Sequence, residues 1–337
     1  MAKGLDVGTC FLACATVTDP NNLSDVSVRS VRDAFVDIPN EPTTRNMLKM
    51  SGVPYIASDD TLYIVGDAAL RMANMFQKEV RRPMSKGVLS AGETEAEKIL
   101  MVLLKEVLGT PATPGEVVYF SVPAAPIDSK GDVVYHEAMF KKMIESLGYT
   151  AFAMNEAAAI VYSNCSGEGF SALSSSFGAG NCNTALVFQT MIGMSFASVK
   201  SGDSIDAGAS NATGSTSSKI MAVKEQGMDL LDPVAGDPRY VREREAIAVY
   251  YKNMIHYNMD SIKAEFKKTK GAVDIADPVS WVLGGGTTLI KNFLPFFIQE
   301  FEAVKKGFPI PVKEIRLAKD QLNDVAKGLL VAAMNHE

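Results

Sequence analysis

The apolar positions near the N-terminus have the short, alternating spacing of strands. Five such segments, at residues 5–7, 11–17, 34–38, 53–57 and 62–65, are separated by turn-forming Asn, Pro, Gly and Asp. Residues 95–108 change to the spacing of a helix with one apolar face, and we predict that Thr94 caps it. This part of the chain therefore combines a strand-rich segment with a helix.

The next segments have the pattern of an α/β protein. Glu116–Val122 is a continuous apolar run that ends at Pro123, which is typical of a buried strand. A helix is predicted at residues 136–147, and Asn155 is predicted to begin another. Buried strands followed by helices indicate a parallel sheet covered by helices.

The second half of the chain repeats this pattern of strands followed by helices. A hairpin is predicted at 177–188 and a strand at 194–199, followed by a Ser/Gly/Ala-rich region, 201–218, that we interpret as turns or a loop. The remaining pattern predicts helices at 219–231, 240–268, 288–305 and 323–334, and a buried strand at 279–283 that contains the single tryptophan, Trp281.

Composition limits the class of protein. A chain of 337 residues with 47% hydrophobic and 21% charged residues is globular, and its length suits about two domains. The net charge of −6 argues against a general nucleic-acid-binding surface, and no apolar run approaches the length of a membrane span. The four cysteines lack a metal-binding CxxC spacing, so we expect free thiols in a reducing cytoplasm.

A glycine turn between two strands occurs twice, and Ser176 follows Asp6 by 170 positions. We predict a duplicated α/β fold in which the two turns face each other across a cleft and hold the phosphates of one ligand. Glycine allows the backbone N–H groups of such a turn to approach an anion closely. The residues predicted to contact phosphate are Gly8, Thr9, Cys10, Gly178, Ala179, Gly180 and Asn181.

The first turn also has a candidate metal ligand. Asp6 stands at the end of the first strand, where its carboxylate would hold Mg²⁺ through water. The alternative is an ordinary β-turn, in which Asp and Gly are common for conformational reasons. The second turn has Ser176 at the corresponding position, so its metal-binding half is missing.

A glycine-rich motif in the second half of the chain is a further candidate for ligand binding. Gly284, Gly285, Gly286 and Thr287 follow a buried strand and precede a helix, where the glycines would let the backbone lie against a ligand. The alternative is a flexible connection between strand and helix. The motif has neither the Walker spacing nor the GxGxxG spacing.

Acidic and basic residues on helices are less specific by themselves. Glu156 stands in the first turn of a helix that continues with small residues, where it could orient a water molecule. A carboxylate at a helix N-terminus is also favoured by the helix dipole alone. The adjacent Lys224 and Glu225, read in isolation, are a solvated surface pair.

Taken in order, these motifs resemble the actin superfamily, and within it the bacterial actins of the MreB and MamK kind. The first motif is Asp6-Val-Gly-Thr9, and the second is the 176–184 hairpin. Glu156-Ala-Ala-Ala resembles the family's first connecting helix, and Asp324-Val-Ala-Lys-Gly328 resembles the second. Val282-Leu-Gly-Gly-Gly-Thr287 resembles the family's adenosine motif. Supporting similarity lies in residues 65–69, 82–88 and 222–226, and the resemblance covers nearly the whole chain.

The resemblance implies the duplicated α/β fold shared by actin, heat-shock chaperones and sugar kinases, with two domains around a nucleotide cleft. We expect domain I at residues 1–162, with 323–337 packing back on it, and domain II at 163–322. ATP or ADP with Mg²⁺ would bind there, and the protein would polymerise with itself into filaments that adaptor or cargo proteins could join. The resemblance also implies that Lys224 and Glu225 contact the purine and the ribose, and that Glu156 orients the attacking water. We expect a cytoplasmic protein with no direct nucleic-acid contact and no evident membrane contact.

Ser176 departs from the family, in which this position is an aspartate. The sequence therefore predicts ATP binding with weak or slow hydrolysis, and it predicts that Ser176→Asp would accelerate phosphate release. Two alternatives remain open. One is a small-molecule kinase of the same fold, and the other is a non-polymerising, nucleotide-dependent scaffold.

Overall fold

The computed structural model describes residues 2–19, 22–269 and 277–336. The strands are β1 Ala2–Val7, β2 Phe11–Asp19, β3 Asn22–Arg32, β4 Phe35–Pro39, β5 Tyr55–Ser58, β6 Thr61–Val65, β7 Met84–Ser85, β8 Val88–Leu89, β9 Glu116–Val122, β10 Tyr149–Asn155, β11 Ala172–Phe177, β12 Cys182–Phe188, β13 Met191–Ser198, β14 Val279–Gly284 and β15 Val312–Leu317. The helices are α1 Pro42–Met50, α2 Asp67–Phe76, α3 Ala96–Leu108, α4 Val133–Ser146, α5 Glu156–Asn164, α6 Gly202–Thr213, α7 Ser217–Glu225, α8 Val241–Lys268, α9 Phe293–Val304 and α10 Asp324–Met334. Short 3₁₀ turns lie at Ser166–Glu168, Pro238–Tyr240 and Gly286–Leu289.

The chain divides into two compact units. Unit 1 contains Met1–Val122, Asp132–Met154 and Leu329–Glu337, and unit 2 contains Pro123–Gly131 and Asn155–Gly328. The chain thus passes between the units several times. The domain boundaries given above, at 162/163 and 322/323, stay a prediction.

Each unit contains a five-stranded sheet, and the two sheets have the same strand order. Unit 1 has β3-β2-β1-β9-β10, and unit 2 has β13-β12-β11-β14-β15. In both, the first strand pairs antiparallel with the next strand of the chain and parallel with a later one, β9 or β14. The register also repeats, because Asp6 lies opposite Ala13 and Ser176 lies opposite Asn183. The predicted duplication of an α/β fold is confirmed.

The central strands are apolar because helices cover them. In unit 2, Trp281 on β14 is fully buried and its ring packs edge-on against Phe297 of α9, as predicted for a core tryptophan. In unit 1, the apolar face of α3 packs against the sheet with Ile99, Leu100 and Leu103 fully buried. Unit 1 also has a smaller three-stranded sheet, β4-β6-β5, with its own apolar cluster.

Most strands and helices lie where the sequence predicts them, and the exceptions have physical causes. The loop predicted at 201–218 is wrong, because this segment contains α6 and the first residues of α7. Helix α6 begins with a capping box in which the side chains of Ser201 and Ser204 each accept from the other's backbone N–H. Its small residues pack closely on α8, since a Cβ on Gly208 would lie 2.4 Å from the Tyr250 ring.

Two other predictions near the N-terminus need correction. The predicted Thr94 cap is wrong, because α3 has Glu95 at its N-cap and no side-chain cap hydrogen bond. No strand or helix was predicted from the sequence at β3, β7, β8, β10, β15, α1 or α2. The polar residues of β3 hide its strand character, which its pairing with β2 provides.

His136 of α4 is a buried histidine outside these motifs. Its ring is fully buried beside Phe140, and no described residue hydrogen-bonds to either ring nitrogen. Burial lowers the pKa of His136 from 6.5 to about 4. The folded state therefore holds this ring neutral at pH values where the unfolded chain binds a proton.

We predict that the free energy of unfolding falls as the pH is lowered from about 6.5 to about 4, by about 3 kcal/mol from this residue. The unfolded state takes up a proton across that window and the folded state does not, so acid favours unfolding. Urea titrations at several pH values should show this slope in the wild type and a smaller slope in His136→Leu. Met143, a buried residue of the same helix that carries no titratable group, provides a control, and Met143→Leu should keep the wild-type slope.

Candidate functional site

The first glycine turn, in unit 1, joins β1 to β2. The N–H of Gly8 donates to the carbonyl of Phe11 at 3.1 Å, and a Cβ on Gly8 would lie 2.7 Å from that oxygen. Only glycine therefore fits this position without displacing the backbone. Thr9 and Cys10 complete the turn, with Thr9 buried and Cys10 half-buried.

Asp6 precedes this turn and is held in a fixed orientation. The Ser121 hydroxyl of unit 1 donates to Asp6 Oδ1 at 2.9 Å and accepts from the N–H of Val7 at 2.7 Å. Burial raises the pKa of Asp6 from 3.8 to about 6, and the Ser121 hydrogen bond opposes this shift. A half-buried, oriented carboxylate of this kind is suited to a nearby cation, which would stabilise its charged form.

The second turn, in unit 2, repeats the geometry of the first. The N–H of Gly178 donates to the carbonyl of Asn181 at 3.0 Å, and a Cβ on Gly178 would lie 2.9 Å from it. Gly178 and Asn181 thus correspond to Gly8 and Phe11. The two turns are copies in three dimensions as well as in sequence.

The carbonyl groups of the second turn are bound by the rest of unit 2. Gly178 O accepts from the N–H of Gly202 at 3.1 Å and from the Thr287 hydroxyl at 2.8 Å. Ala179 O accepts from the N–H of Asp203 at 2.8 Å and from the Ser201 hydroxyl at 2.6 Å. Because these carbonyl oxygens are already hydrogen-bonded within unit 2, the groups of the turn that can bind a ligand are its N–H donors.

The amide groups at the tip of this turn remain unused. Across the described part of the chain, the N–H groups of Ala179 and Gly180 donate to no protein acceptor. Adjacent unpaired N–H groups in a glycine turn form an anion-binding concavity. The second turn therefore fits a phosphate group.

The glycine-rich motif after β14 lies against this turn. Gly284 pairs with Ser176 in the parallel register of β11 and β14. Gly285 has a φ of +90°, and a Cβ there would lie 2.4 Å from the carbonyl oxygen of Phe177. The motif uses its glycines to bring backbone close to backbone, and it continues into the 3₁₀ turn that contains Gly286 and Thr287.

Thr287 links the motif to the second turn, and we predict that its hydroxyl is needed to hold the turn. Thr287→Val keeps the shape and removes the bond to Gly178 O, which contributes about 1 kcal/mol. Amide hydrogen exchange at Gly178, whose N–H donates to Asn181 O, should therefore accelerate about fivefold. Thr288→Val is the control, because the Thr288 hydroxyl bonds to Gly285 O. Equal protection in both variants would contradict the prediction.

Glu156, the first residue of α5, is bound by two side chains from the β11–β12 hairpin. The Ser176 hydroxyl donates to Glu156 Oε1 at 2.6 Å, and Asn183 Nδ2 donates to Glu156 Oε2 at 2.7 Å. From the sequence, Ser176 was predicted only to be a missing acid, and Asn183 was not among the predicted site residues. The signal in the sequence that could have identified Asn183 is its polar side chain in the mainly small and apolar strand β12.

Lys224 and Glu225 lie at the end of α7 in different environments. Lys224 Nζ forms an ion pair with Asp206 of α6 at 2.6 Å, whereas Glu225 is exposed. Burial raises the pKa of Asp206, and the Lys224 ammonium opposes this shift. Lys224 therefore connects α6 to α7, and its role as a nucleotide contact stays a prediction.

The structure groups the predicted site residues within each unit. Unit 1 holds Asp6, Gly8, Thr9 and Cys10 at one turn. Unit 2 brings Glu156, the second turn and the Gly284–Thr287 motif together. In the described residues, no three His, Cys, Asp or Glu side chains gather as a metal site. A water-mediated Mg²⁺ bound mainly to phosphate needs one or two carboxylates, which fits Asp6.

Within residues 2–19, 22–269 and 277–336, every helix is too short or too polar to serve as a membrane-spanning segment.

Comparison with solved structures shows the fold. The chain is similar to a MamK double helical filament, with 18% identity, a TM-score of 0.69 and 99% of each chain covered. It is similar to MreB5 of Spiroplasma citri bound to ADP, with 16% identity, a TM-score of 0.65 and coverage of 97% of this chain and 94% of that one. It is also similar to the ethanolamine utilization protein EutJ from Carboxydothermus hydrogenoformans, with 13% identity, a TM-score of 0.56 and coverage of 98% and 89%. The chain has an actin-like fold, as the sequence motifs implied.

Comparison with curated proteins finds no match, so no curated relative supplies a function. A family model described as Volactin matches residues 1–333, which is nearly the whole chain. The chain therefore belongs to the Volactin family.

Proposed function

We propose that this protein binds ATP with Mg²⁺, polymerises with itself into filaments and hydrolyses ATP slowly to time their disassembly. The observation that carries the proposal is the second turn, in which the carbonyl groups of Gly178 and Ala179 are hydrogen-bonded while the N–H groups of Ala179 and Gly180 have no acceptor among the residues that the structure describes. The proteins with similar folds include a MamK mutant bound to AMPPNP, with 18% identity and a TM-score of 0.59, and the MamK double helical filament.

Each unit supplies one part of the binding function. In unit 2, the N–H groups of residues 179–181 bind phosphate oxygens, and Gly284–Thr287 with Lys224 and Glu225 provide the contacts to adenosine. In unit 1, the turn at Gly8–Cys10 provides the corresponding phosphate contacts, and Asp6 holds the metal through water. Mg²⁺, when bound, supplies positive charge that neutralises the phosphate oxygens.

Glu156 acts on the attacking water. Its carboxylate accepts a hydrogen bond from the water and orients it for in-line attack on the terminal phosphorus. ATP favours assembly and ADP favours release of subunits, so the rate of hydrolysis sets the filament lifetime. Adaptor or cargo proteins and a cytoplasmic location belong to the same proposal, and the four free cysteines suit a reducing compartment.

High-speed pelleting with ATP, with ADP and without nucleotide tests assembly, and a fluorescent ATP analogue tests binding. We expect ATP-dependent pelleting and saturable binding. Gly178→Val should weaken both, because the added side chain would collide with the carbonyl of Asn181. Gly167→Ala, in open space in the same unit, is the matched control. A chain that binds ATP but stays soluble at tens of micromolar would exclude filaments and favour the scaffold alternative, while phosphate transfer to a small molecule would favour the kinase.

A further inference from the structure

Ser176 and Asn183 form a pair of donors on one face of a hairpin. The two residues lie directly opposite each other in the antiparallel pairing of β11 and β12. Side chains at such positions project to the same face with their Cβ atoms about 5 Å apart. This spacing lets the two side chains reach the two oxygens of a single carboxylate, and they bind Glu156 Oε1 and Oε2 at 2.6 and 2.7 Å.

The direction of the Asn183 bond is set by a third group. Asn183 Oδ1 accepts from the N–H of Ala124 at 3.0 Å, so its Nδ2 is the atom that faces Glu156. Asn183 is fully buried and Ser176 is 2% exposed, so water competes little for either donor. Two donors, one on each carboxylate oxygen, favour the ionised form of the carboxylate.

The corresponding position in unit 1 has no such pair. Asp6 lies opposite Ala13, whose side chain cannot donate a hydrogen bond. The two turns otherwise share their register and their glycine geometry. This cross-strand pair is therefore one position at which the two copies differ in chemistry.

We propose that Ser176 and Asn183 are positioning residues that hold the Glu156 carboxylate by both oxygens, ionised and in one orientation, toward the attacking water. This inference rests on the proposed ATP hydrolysis. Ser176 is then a hydrogen-bond donor at the position where related proteins have an aspartate. The hairpin of the second turn orients the base, Glu156, whereas Asp6 at the first turn holds the metal. Each donor also makes the carboxylate a weaker base, which is consistent with slow turnover.

This role reverses the expectation drawn from the sequence for Ser176→Asp. An aspartate at this position would replace a donor by a second carboxylate about 3 Å from Glu156, and like charges at this distance repel. We therefore expect Ser176→Asp to slow phosphate release. If the serine were only a lost metal ligand, the same substitution would accelerate it.

Steady-state kinetics with MgATP provide the first test. Ser176→Ala should lower kcat about tenfold with KM for ATP within about twofold, because the bond orients a reacting group and not the substrate. Ser176→Thr keeps the hydroxyl and should restore most of kcat. Asn183→Asp keeps the acceptor for the Ala124 N–H, removes the donor, and should also lower kcat.

Ser174→Ala is the matched control. Ser174 is also a buried serine of β11, two residues away on the same face, and its hydroxyl donates to Ala157 O at 2.7 Å. The substitution removes a buried hydroxyl near the same helix without touching the carboxylate. It should leave kcat and KM at the wild-type values.

A second measurement needs no nucleotide. Carbon-13 NMR of the full chain labelled at the glutamate carboxyl carbons, with Glu156→Gln to assign the signal, gives the pH at which Glu156 titrates. Loss of one donor should move this midpoint to higher pH by about one unit in Ser176→Ala, with no change in Ser174→Ala.

The two measurements separate the two proposals. A midpoint that moves in Ser176→Ala while the wild type releases no phosphate supports the carboxylate contact and rejects the hydrolysis. An unmoved midpoint overturns the inference whatever the rate. Faster phosphate release by Ser176→Asp, or wild-type kcat in Ser176→Ala, also overturns it.

Discussion

Glu156→Gln is expected to slow ATP hydrolysis by a factor on the order of 10² to 10⁴ while leaving ATP binding nearly unchanged. The glutamine has the same shape, but its neutral amide cannot accept a proton from water. The site can accommodate it, because the Ser176 hydroxyl can rotate to accept from the glutamine NH₂ while Asn183 Nδ2 still donates to its oxygen.

Single-turnover phosphate release, together with binding of a fluorescent ATP analogue, measures the two quantities separately. If hydrolysis times disassembly, Glu156→Gln filaments should persist in ATP for longer than wild-type filaments. Glu245→Gln is the control, because Glu245 is an exposed acid of the same unit. Wild-type phosphate release from Glu156→Gln would remove Glu156 from the mechanism.

Gly328→Ala is expected to destabilise the protein by about 3 kcal/mol. Gly328 lies inside α10, where glycine costs about 1 kcal/mol relative to alanine, so its presence needs a structural reason. The reason is the closeness of α5, because a Cβ on Gly328 would lie 1.7 Å from Ala159 O and 2.6 Å from Ala159 C. These are backbone atoms, so the clash can be relieved only by separating the two helices.

Thermal unfolding and the yield of folded protein measure this effect. We expect the unfolding midpoint to fall by about 6 °C. Gly167→Ala tests whether the loss is specific, because a Cβ there meets nothing within 4 Å. That control should change the midpoint by at most a few degrees. A wild-type midpoint in Gly328→Ala would show that α10 and α5 are not in close backbone contact.

The fold could be predicted well where burial alone determines the structure. Glu116–Val122 is a strand from end to end, as predicted, because its Val, Tyr and Phe residues favour extended backbone and Val118 and Phe120 are fully buried. The long helix predicted at 240–268 is Val241–Lys268. By contrast, the small polar residues of α6 carry no period, and contact with α8 and a serine capping box make that segment helical.

The candidate site was predictable in its backbone and only partly in its side chains. The glycine spacing identified both turns, because a close approach of backbone to backbone at Gly8 and Gly178 tolerates no Cβ. The partners of Glu156 could not be predicted in this way. Ser176 and Asn183 meet Glu156 only after β11 pairs with β12 and α5 packs beside them.

The sequence by itself determined the α/β class, the duplicated glycine turns and the resemblance to an actin-like fold, because hydrophobic period and glycine spacing are local properties of the chain. Only the tertiary structure decided what Ser176 does. From the sequence alone, a hydroxyl in place of an acid is interpreted as the loss of a metal ligand. In the folded protein it is a donor 2.6 Å from Glu156, because strand register and helix packing place the two groups together.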